Sequence, residues 1–431
     1  MGDTVRIVAE AADSDGVVAG VSIQIDGTHY GTDTTAPFEF SWNTSAAVTR
    51  FHEIRVLASD DRGATSDARI PVYVDWIYNQ PEQVQDGWET ASLSESGVDL
   101  GPIETLMRRL RSFPDTLVHG ILIVKDGKLL LEEYLAGKKY TDPESEATAP
   151  TIRFHRDTIH NIASITKTVT SVLLGIAIDR GLIDSVEQPA VTFFPEISAF
   201  QSDGKNAITL EHLITMSSGL QWDQRTYHLL DPRNDIVPFY SAGDPVAFYV
   251  GRSLVSAPGT SFVYSEASIN VAARAIERTS GMLLDRFARQ YLFDPLDVTT
   301  AEWLTIRDGF VWASGNLAVT PRTMAKIGQL YLDGGIWNGE RVISTAWVER
   351  SSTVHVAMDE IWNYGYGYAW WLVGFDRQSV RCFSGAGLGG QQIYVFPDLN
   401  AVVVLTGGSY WIPAITRPEH IMDQYIVPAL R

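Results

Sequence analysis

The chain has 431 residues, of which 45% are hydrophobic and 20% are charged, a composition typical of a globular protein that buries a sizeable core. Its formal net charge of −19 argues against nucleic acid and anionic membrane surfaces as partners and favours neutral or cationic substrates. The length predicts two domains. The sequence contains no run of about 18 apolar residues, so no transmembrane helix is expected.

The N-terminal segment, residues 3 to about 75, is predicted to be all-β. Short alternating runs such as Val21–Ile25 and Ile54–Ala58 are separated by clusters of turn residues. Closely spaced strands of this kind indicate a β-sandwich, which we assign to residues 1–76. The turn clusters are Asp26-Gly27, Asp33-Thr34 and Asp60-Asp61-Arg62-Gly63.

Several motifs of this segment occur in a characteristic order: the Asp-Gly hairpin, residues 34–38, Ser41-Trp42-Asn43, and a closing run at 58–63. This order resembles bacterial immunoglobulin-like modules. Such modules usually occur in exported proteins, so the resemblance implies a periplasmic or secreted location and a role as a spacer or partner-binding unit. The N-terminus itself does not match a signal peptide, and a cytoplasmic location stays open. The acidic pairs Asp13/Asp15 and Asp60/Asp61 suit Ca²⁺, although turn chemistry explains them as well.

Residues 77–431 are predicted to form an α+β domain. An amphipathic helix precedes a hairpin around Asp126-Gly127, and helices then dominate a lobe at about 166–300. Thr320-Pro321 begins another helix, and strands are predicted at Tyr366–Val373, Gln392–Phe396 and Ala401–Leu405. Strands therefore flank a helical middle, which indicates an antiparallel sheet assembled from both ends of the domain, with helices packed on it.

The segment Ser164-Ile165-Thr166-Lys167 begins a helix whose apolar pattern predicts burial. Residues i and i+3 share a helix face, so the Ser164 hydroxyl and the Lys167 ammonium are neighbours. A lysine that has lost hydration can accept the hydroxyl proton, which makes Ser164 a candidate nucleophile and Lys167 a candidate base. An isolated Ser-x-x-Lys is more often an N-cap serine and an unrelated lysine, as we expect for Ser202-Asp203-Gly204-Lys205 in a polar loop.

Two further segments could complete an acyl-transfer site, which also needs a proton donor for the leaving group and donors for the oxyanion. Tyr264 precedes a predicted helix, where its hydroxyl can point into a cleft; packing at a helix entrance is the alternative. The glycine-rich segment 384–391 lies between strands and can bring a main-chain N–H to an oxyanion. Gly385, Gly387 and Gly390 also match a dinucleotide pattern, but that pattern must open a helix, and here a strand follows.

Cysteine and histidine usage predicts no metal site, and no motif predicts a cofactor. Cys382 is the only cysteine, so no intrachain disulfide can form. The nine histidines include no His-x-His or His-x-x-x-His pair. A Gly-x-Ser-x-Gly motif is absent, so an α/β-hydrolase triad has no support.

Taken in order, Ser164-x-x-Lys167, Tyr264-Ser265-x and the glycine-rich strand edge resemble the serine hydrolases related to class C β-lactamases and penicillin-binding proteins. The resemblance spans roughly residues 100–431. Within this superfamily, the sequence most resembles the family VIII carboxylesterases and the 6-aminohexanoate-dimer hydrolases. It implies a β-lactamase/transpeptidase-like fold, in which an antiparallel sheet is flanked by helices and a helical lobe. Further stretches resemble the same family in the same order along the chain, at residues 213–220, 257–260, 293–296 and 325–335.

The resemblance also implies roles for individual residues. Ser164 would form the acyl-enzyme, and Lys167 and Tyr264 would share the proton relay. The oxyanion hole would combine the N–H groups of Ser164 and Leu388, because Gly385-Ala386-Gly387 lies where the relatives carry Lys-Thr-Gly or a variant. An alignment one residue earlier, with Ser384 first, would move the second donor to Gly387.

Two departures from the β-lactamases concern the substrate pocket. Glu266 stands in place of an asparagine, and Gly385 in place of a lysine that helps hold the β-lactam carboxylate. These changes disfavour β-lactams and favour an uncharged ester, or an amide whose substrate carries an ammonium for Glu266. Aromatic residues are also predicted to shape the pocket, with core packing as the alternative for each. The candidates are Trp222, Trp312 and, because related amide hydrolases place a tyrosine in this loop, Tyr227.

The sequence therefore favours a metal-free serine hydrolase that acts on small carboxylic esters in two steps. The second hypothesis is an amidase on linear ω-amino-acid oligomers such as those of 6-aminohexanoate, motivated by Glu266 and the acidic surface. The third is a non-catalytic protein that binds peptidoglycan or a partner surface. The sequence sets neither the physiological substrate nor the oligomeric state.

Overall fold

The computed structural model describes residues 4–44, 50–112, 117–139, 149–306, 309–376, 379–410 and 417–431. The N-terminal segment is all-β, as predicted. Its strands are β1 Thr4–Ala9, β2 Val18–Ile25, β3 Thr28–Asp33, β4 Phe38–Asn43, β5 Arg50–Asp60 and β6 Thr65–Val74.

These strands form two antiparallel sheets, one pairing β1 with β4 and one in the order β3-β2-β5-β6. Every second residue of β4 is buried, so Phe38, Phe40 and Trp42 face the module's core while their neighbours face solvent. Asp26 and Gly27 both have positive φ, 50° and 79°, which suits the two-residue turn between β2 and β3.

The acidic turns of this module are occupied by contacts of its own backbone and by one arginine. Asp60 Oδ1 accepts from the N–H groups of Arg62 and Ala64 at 2.9 and 2.7 Å. Arg62 in turn pairs with Asp15 at 2.6 Å. Within the described ranges, no group of three or more histidine, cysteine or acidic side chains is placed to hold a metal ion.

The second segment contains the remaining strands and all the described α-helices. The helices are α1 Leu100–Ser112, α2 Ile165–Asp179, α3 Leu210–Ile214, α4 Ile236–Ser241, α5 Pro245–Val250, α6 Glu266–Ser280, α7 Leu284–Ala288, α8 Pro321–Leu332, α9 Thr345–Ser351, α10 Pro418–Ile421 and α11 Val427–Leu430. The strands are β7 Glu89–Thr90, β8 Val118–Lys125, β9 Lys128–Tyr134, β10 Ala136–Lys138, β11 Thr151–Arg153, β12 His160–Asn161, β13 Ala301–Trp303, β14 Leu317–Val319, β15 Ile336–Trp337, β16 Glu340–Arg341, β17 Val356–Ala357, β18 Asn363–Tyr366, β19 Trp371–Phe375, β20 Val380–Gly387, β21 Gln391–Phe396 and β22 Ala401–Gly407. None of the described helices has the length and apolar composition of a membrane span.

The main sheet joins both ends of this domain, which confirms the predicted antiparallel arrangement. Nine of the described strands follow the order β17-β18-β19-β20-β21-β22-β8-β9-β7. All neighbours are antiparallel except β7 and β9. The last strand, β22, pairs with β8 near the beginning of the domain, with Val404 opposite Leu122.

Helices cover both faces of this sheet because its central strands are apolar on both sides. Leu122 and Val404 belong to the core that also contains α2 and α8, whereas Ile121 and Val403 belong to the core that contains α1 and the C-terminal helices. Helix α2 is buried along nearly its whole length, as its sequence predicted.

The predicted single strand at Tyr366–Val373 is wrong, because the chain bends at residues 367–370 between β18 and β19. Ala369 has a positive φ of 58°. A β-carbon at Gly367 would lie 2.3 Å from the Ser351 carbonyl oxygen, so the backbone approaches α9 too closely for a side chain. Aromatic residues at alternate positions, Tyr364, Tyr366, Tyr368 and Trp370, favour a single strand in the sequence, but the first two belong to β18 and the last two to the bend.

The last two residues of the predicted first domain, 75 and 76, contact the second segment. Asp75 pairs with Arg108 of α1 at 3.0 Å. The Trp76 side chain is buried in the core beside α1, and its Nε1 donates to Glu133 at 2.9 Å. Residues 75 and 76 thus pack with the second domain.

Two truncations test this boundary. Deletion of residues 1–74 is expected to leave the fold of the second domain, and any rate that it shows with a small test ester, nearly unchanged. Deletion of residues 1–78 also removes Trp76, and should cost about 3–5 kcal/mol, the usual effect of losing a buried tryptophan. Thermal unfolding by circular dichroism and the rate with p-nitrophenyl butyrate are the measurements; equal stability of the two truncations would contradict the assignment.

Two buried histidines connect the main sheet to the strand that precedes Ser164. The ring of His119 on β8 stacks on Phe154 at 4.0 Å, and Phe154 stacks on His160 of β12 at 4.7 Å. Burial lowers the pKa of His119 to about 3 and that of His160 to about 4. Both rings are therefore neutral in the folded protein at neutral pH.

This stack predicts a loss of stability in mild acid. Below about pH 6.5, the ordinary histidine pKa, the unfolded chain binds protons that the folded chain does not. The free energy of unfolding should therefore fall between pH 6.5 and pH 4, by up to about 1.4 kcal/mol per pH unit for each histidine. Urea unfolding at several pH values measures this slope. His119→Gln should reduce it and His228→Gln, at an exposed position, should not; a flat profile in the unaltered protein would contradict the prediction.

Candidate active site

Ser164 occupies the N-cap position of the buried helix α2, directly after a residue with unusual backbone geometry. Ala163 has a φ of 46°, in the left-handed region that non-glycine residues rarely adopt. Its N–H donates to Asn161 Oδ1 at 2.9 Å, and its carbonyl oxygen accepts from Thr166 Oγ1 at 2.6 Å. These bonds on either side stabilise the bend that presents Ser164 at the helix start.

Lys167 lies one helical turn beyond Ser164, and its ammonium is enclosed by protein. Its Nζ donates to Ser164 Oγ at 3.0 Å and to the Ser314 carbonyl oxygen at 2.7 Å. The third neighbour is Glu266 Oε1 at 3.8 Å. Only 1% of the Lys167 side chain is exposed, so the ammonium is out of contact with bulk water where it meets the partly buried Ser164 hydroxyl.

Glu266 lies beneath this pair and not at a surface open to substrate. Its Oε2 accepts hydrogen bonds from Tyr240, Trp312 and Ser314 at 3.0, 3.1 and 3.2 Å. Burial and the neighbouring carboxylate hold the pKa of Tyr240 well above its usual range, so the phenol remains a donor. This placement differs from the expectation that Glu266 meets a substrate ammonium, because its oxygens face donors of the protein itself.

Tyr264 lies just before α6 and contacts Lys167 through its ring. The Lys167 Nζ is 5.0 Å from the ring centroid, and Trp371 stacks on the same ring at 6.1 Å. Ser265 caps α6 by accepting from the Ser268 N–H at 3.3 Å, which fixes the chain where Tyr264 enters the helix. The structure thus brings together all three residues that the sequence placed in the catalytic machinery.

The glycine-rich end of β20 runs beside the backbone that precedes Ser164. A β-carbon at Gly387 would lie 2.3 Å from the Ile162 carbonyl oxygen, and one at Gly385 would lie 3.2 Å from Thr168 Oγ1. Ala386 is paired with Gln392, and Leu388 follows in the turn with 46% of its surface exposed. Glycine at 387 allows this close approach, which brings the turn to the start of α2.

The three aromatic pocket candidates have different surroundings. Trp222 is buried against Phe239 and Tyr249, which is core packing. Trp312 donates to Glu266 and lies beneath the site. Tyr227 is half-buried under the Arg233 guanidinium, 4.2 Å away. No contact within the described residues joins Tyr227 to Ser164, Lys167 or Tyr264.

Three residues that the sequence did not single out complete the network around Glu266. Asn270 Nδ2 donates to Tyr240 at 3.2 Å and to Ser314 Oγ at 3.0 Å. Asn270 lies four residues after Glu266 on α6, so helical spacing could have indicated that the two share a face. Tyr240 and Ser314 are distant in sequence from both, and no local pattern marks them.

A cavity of about 590 Å³ lies elsewhere, between the connector around residues 75–82 and the segment 153–157. Its lining mixes arginine and acidic side chains, and it includes none of Ser164, Lys167, Tyr264 and Glu266. Volume therefore does not identify the candidate site, whereas the contact between a hydroxyl and a buried ammonium does.

Comparison with known proteins shows the family of the chain. A family model described as β-lactamase matches residues 108–413, well over half of the chain. The chain belongs to the β-lactamase family. It is a hydrolase of that superfamily with a bacterial Ig domain before it, since residues 1–56 match the model for that domain.

The proteins that are similar to this chain carry different activities in their names. The 6-aminohexanoate-dimer hydrolase of Paenarthrobacter ureafaciens is 26% identical over 359 residues, which cover 79% of this chain and 84% of the relative. An octameric penicillin-binding protein homologue from Pyrococcus abyssi matches with a TM-score of 0.59 and 20% identity, over 77% of each chain. A family VIII carboxylesterase matches with a TM-score of 0.55 and 15% identity, over 72% of this chain and 92% of its own. The last two likenesses show the fold alone.

Substitution of the buried acid tests the network. Glu266→Gln leaves at least one buried donor without an acceptor and removes the charge next to Lys167, so the free energy of unfolding should fall by about 1–3 kcal/mol. Glu302→Gln, at an exposed position of β13, should change it by less than about 0.5 kcal/mol. Urea unfolding of the three proteins at pH 7.5 is the measurement. Equal stability of all three would show that water replaces the lost contacts.

Proposed function

We propose that this protein hydrolyses carboxylic esters through an acyl-enzyme on Ser164. The observation that carries the proposal is the hydrogen bond of 3.0 Å between the buried Lys167 Nζ and the partly buried Ser164 Oγ. A serine hydroxyl is a weak nucleophile, and a base within hydrogen-bond distance activates it. A lysine enclosed by protein can take that part when it is in the neutral form.

In the proposed acylation step, Ser164 Oγ attacks the ester carbonyl carbon as its proton passes to Lys167. The tetrahedral oxyanion receives hydrogen bonds from the N–H groups of Ser164 and Leu388. Ser164 N–H stands at the start of α2, where the first N–H groups of a helix have no partner within the helix. Tyr264 delivers the proton to the leaving oxygen, the bond between carbon and that oxygen breaks, and the alcohol departs.

Deacylation repeats these roles with water. A water molecule gives a proton to the Lys167/Tyr264 pair and attacks the acyl carbon. The bond from that carbon to Ser164 Oγ then breaks, Ser164 regains a proton, and the carboxylic acid leaves. Glu266, 3.8 Å from Lys167 Nζ, stabilises the ammonium whenever the lysine carries the transferred proton.

An amidase is the second candidate, and the similarity to the 6-aminohexanoate-dimer hydrolase supports it. The argument from Glu266 no longer does, because that carboxylate accepts three hydrogen bonds from the protein. Amide hydrolysis would use the same groups, with Tyr264 delivering its proton to the leaving nitrogen. The bacterial Ig domain supports a periplasmic or secreted location for either activity.

The test compares two serines of the same chain in the two Ser-x-x-Lys segments. Ser164→Ala should lower the turnover of p-nitrophenyl butyrate by about a thousandfold or more, because it removes the proposed nucleophile. Ser202→Ala, in an exposed loop, should leave it unchanged. An active-site phosphonate should label the unaltered protein and not Ser164→Ala. Folding of each variant is checked by circular dichroism.

The same proteins are tested on the 6-aminohexanoate dimer, with amine release as the readout. Release that matches ester turnover would favour the amidase. Full ester turnover by Ser164→Ala would refute the mechanism. An unaltered protein that neither turns over ester or amide nor reacts with the phosphonate would favour a non-catalytic binding protein.

A further inference from the structure

A second cation lies beside Tyr264, on the side of the ring that faces the exposed loop after Trp222. The guanidinium carbon of Arg225 is 5.1 Å from the Tyr264 ring centroid, a distance that suits a cation–π contact. Lys167 Nζ lies 5.0 Å from the same centroid. The two cations differ in environment, because Lys167 is buried whereas Arg225 is exposed.

The acidic side chains near Arg225 are engaged with other groups. In the part of the chain that the structure describes, no carboxylate pairs with the Arg225 guanidinium. Asp223 accepts from the backbone N–H groups of Arg225 and Thr226. Asp231 pairs with Arg233, and Asp235 pairs with Arg252. Glu266 faces Lys167.

The loop that carries Arg225 is held in place by several hydrogen bonds. Gln224 Oε1 accepts from the backbone N–H of Glu266 at 2.8 Å, which ties the loop directly to the start of α6. Asn234 Nδ2 donates to the carbonyl oxygens of Gln224 and Tyr227 at 3.2 and 3.0 Å. The backbone of Arg225 is therefore fixed next to Tyr264, while its guanidinium remains open to solvent.

We propose that Arg225 binds a carboxylate on the part of the substrate that departs as the leaving group. This inference rests on the proposed function, in which Tyr264 delivers a proton to the leaving atom, so that a group against the Tyr264 ring adjoins the leaving group. A guanidinium presents a planar set of donors that matches a carboxylate. The substrate class is thus esters or amides whose alcohol or amine bears a carboxylate, in contrast to the neutral or cationic substrates that the net charge favours.

Two matched esters test this: 3-carboxyphenyl butyrate and 3-carbamoylphenyl butyrate. They share the acyl group and the shape of the leaving group, and differ in the charge. The measured quantity is the ratio of kcat/KM for the carboxyl ester to kcat/KM for the carbamoyl ester. It is determined for the unaltered protein, for Arg225→Gln and Arg225→Lys, and for the control Arg286→Gln, an exposed arginine of α7. Turnover of p-nitrophenyl butyrate by the unaltered protein is measured alongside.

We expect Arg225→Gln to lower this ratio about five- to tenfold, Arg225→Lys to lower it less, and Arg286→Gln to leave it unchanged. Raising NaCl from 0.05 to 0.5 M should lower the ratio of the unaltered protein and not that of Arg225→Gln, because salt screens an exposed ion pair. An equal ratio in the unaltered protein and Arg225→Gln, with p-nitrophenyl butyrate still hydrolysed, would overturn this inference alone. No hydrolysis of any of the three esters by the unaltered protein would overturn the proposed function and the inference with it.

Discussion

The site depends on one constraint, the burial of the Lys167 ammonium. A charge removed from water is costly unless it is paired and hydrogen-bonded. Three groups face this ammonium: the Ser164 hydroxyl, the Ser314 carbonyl oxygen and the Glu266 carboxylate. They come from the start of α2, from the segment before β14 and from the start of α6. Neutralising one buried cation therefore requires these parts of the domain to meet, and the meeting point is the candidate site.

A second set of contacts fixes the backbone around the proposed nucleophile. Ala163 adopts a left-handed conformation, and the end of β20 passes so close to Ile162 that position 387 leaves no room for a β-carbon. Such strain persists only where surrounding bonds determine it, and here Asn161 and Thr166 supply them. The site is thus built from a helix start and a strand end of a rigid framework, which suits a reaction that needs donors in fixed positions.

Charge in this protein has to be considered locally as well as globally. The chain is strongly acidic, yet the acid next to the site, Glu266, faces inward, and the exposed charge beside Tyr264 is the cation of Arg225. The net charge acts on a substrate from a distance, and salt weakens that effect beyond about 10 Å. A charged group in contact with the substrate acts on it directly. Overall charge is therefore a poor guide to the substrate. The residue type at one motif position is a guide only when the orientation of that side chain is known.

Local patterns determined much of what could be predicted. Helical spacing placed the Ser164 hydroxyl beside the Lys167 ammonium, and the Asp26-Gly27 and Asp126-Gly127 turns marked their hairpins, because these features depend on residues a few positions apart. Motif order was enough to indicate the family. Tertiary structure alone decided the inward orientation of Glu266 and the hydrogen bonds that Tyr240 and Ser314 donate to it. It also decided the bend at Gly367 and the position of Arg225. Each of these depends on contacts between segments tens of residues apart, where packing and the pairing of buried charge override any local preference.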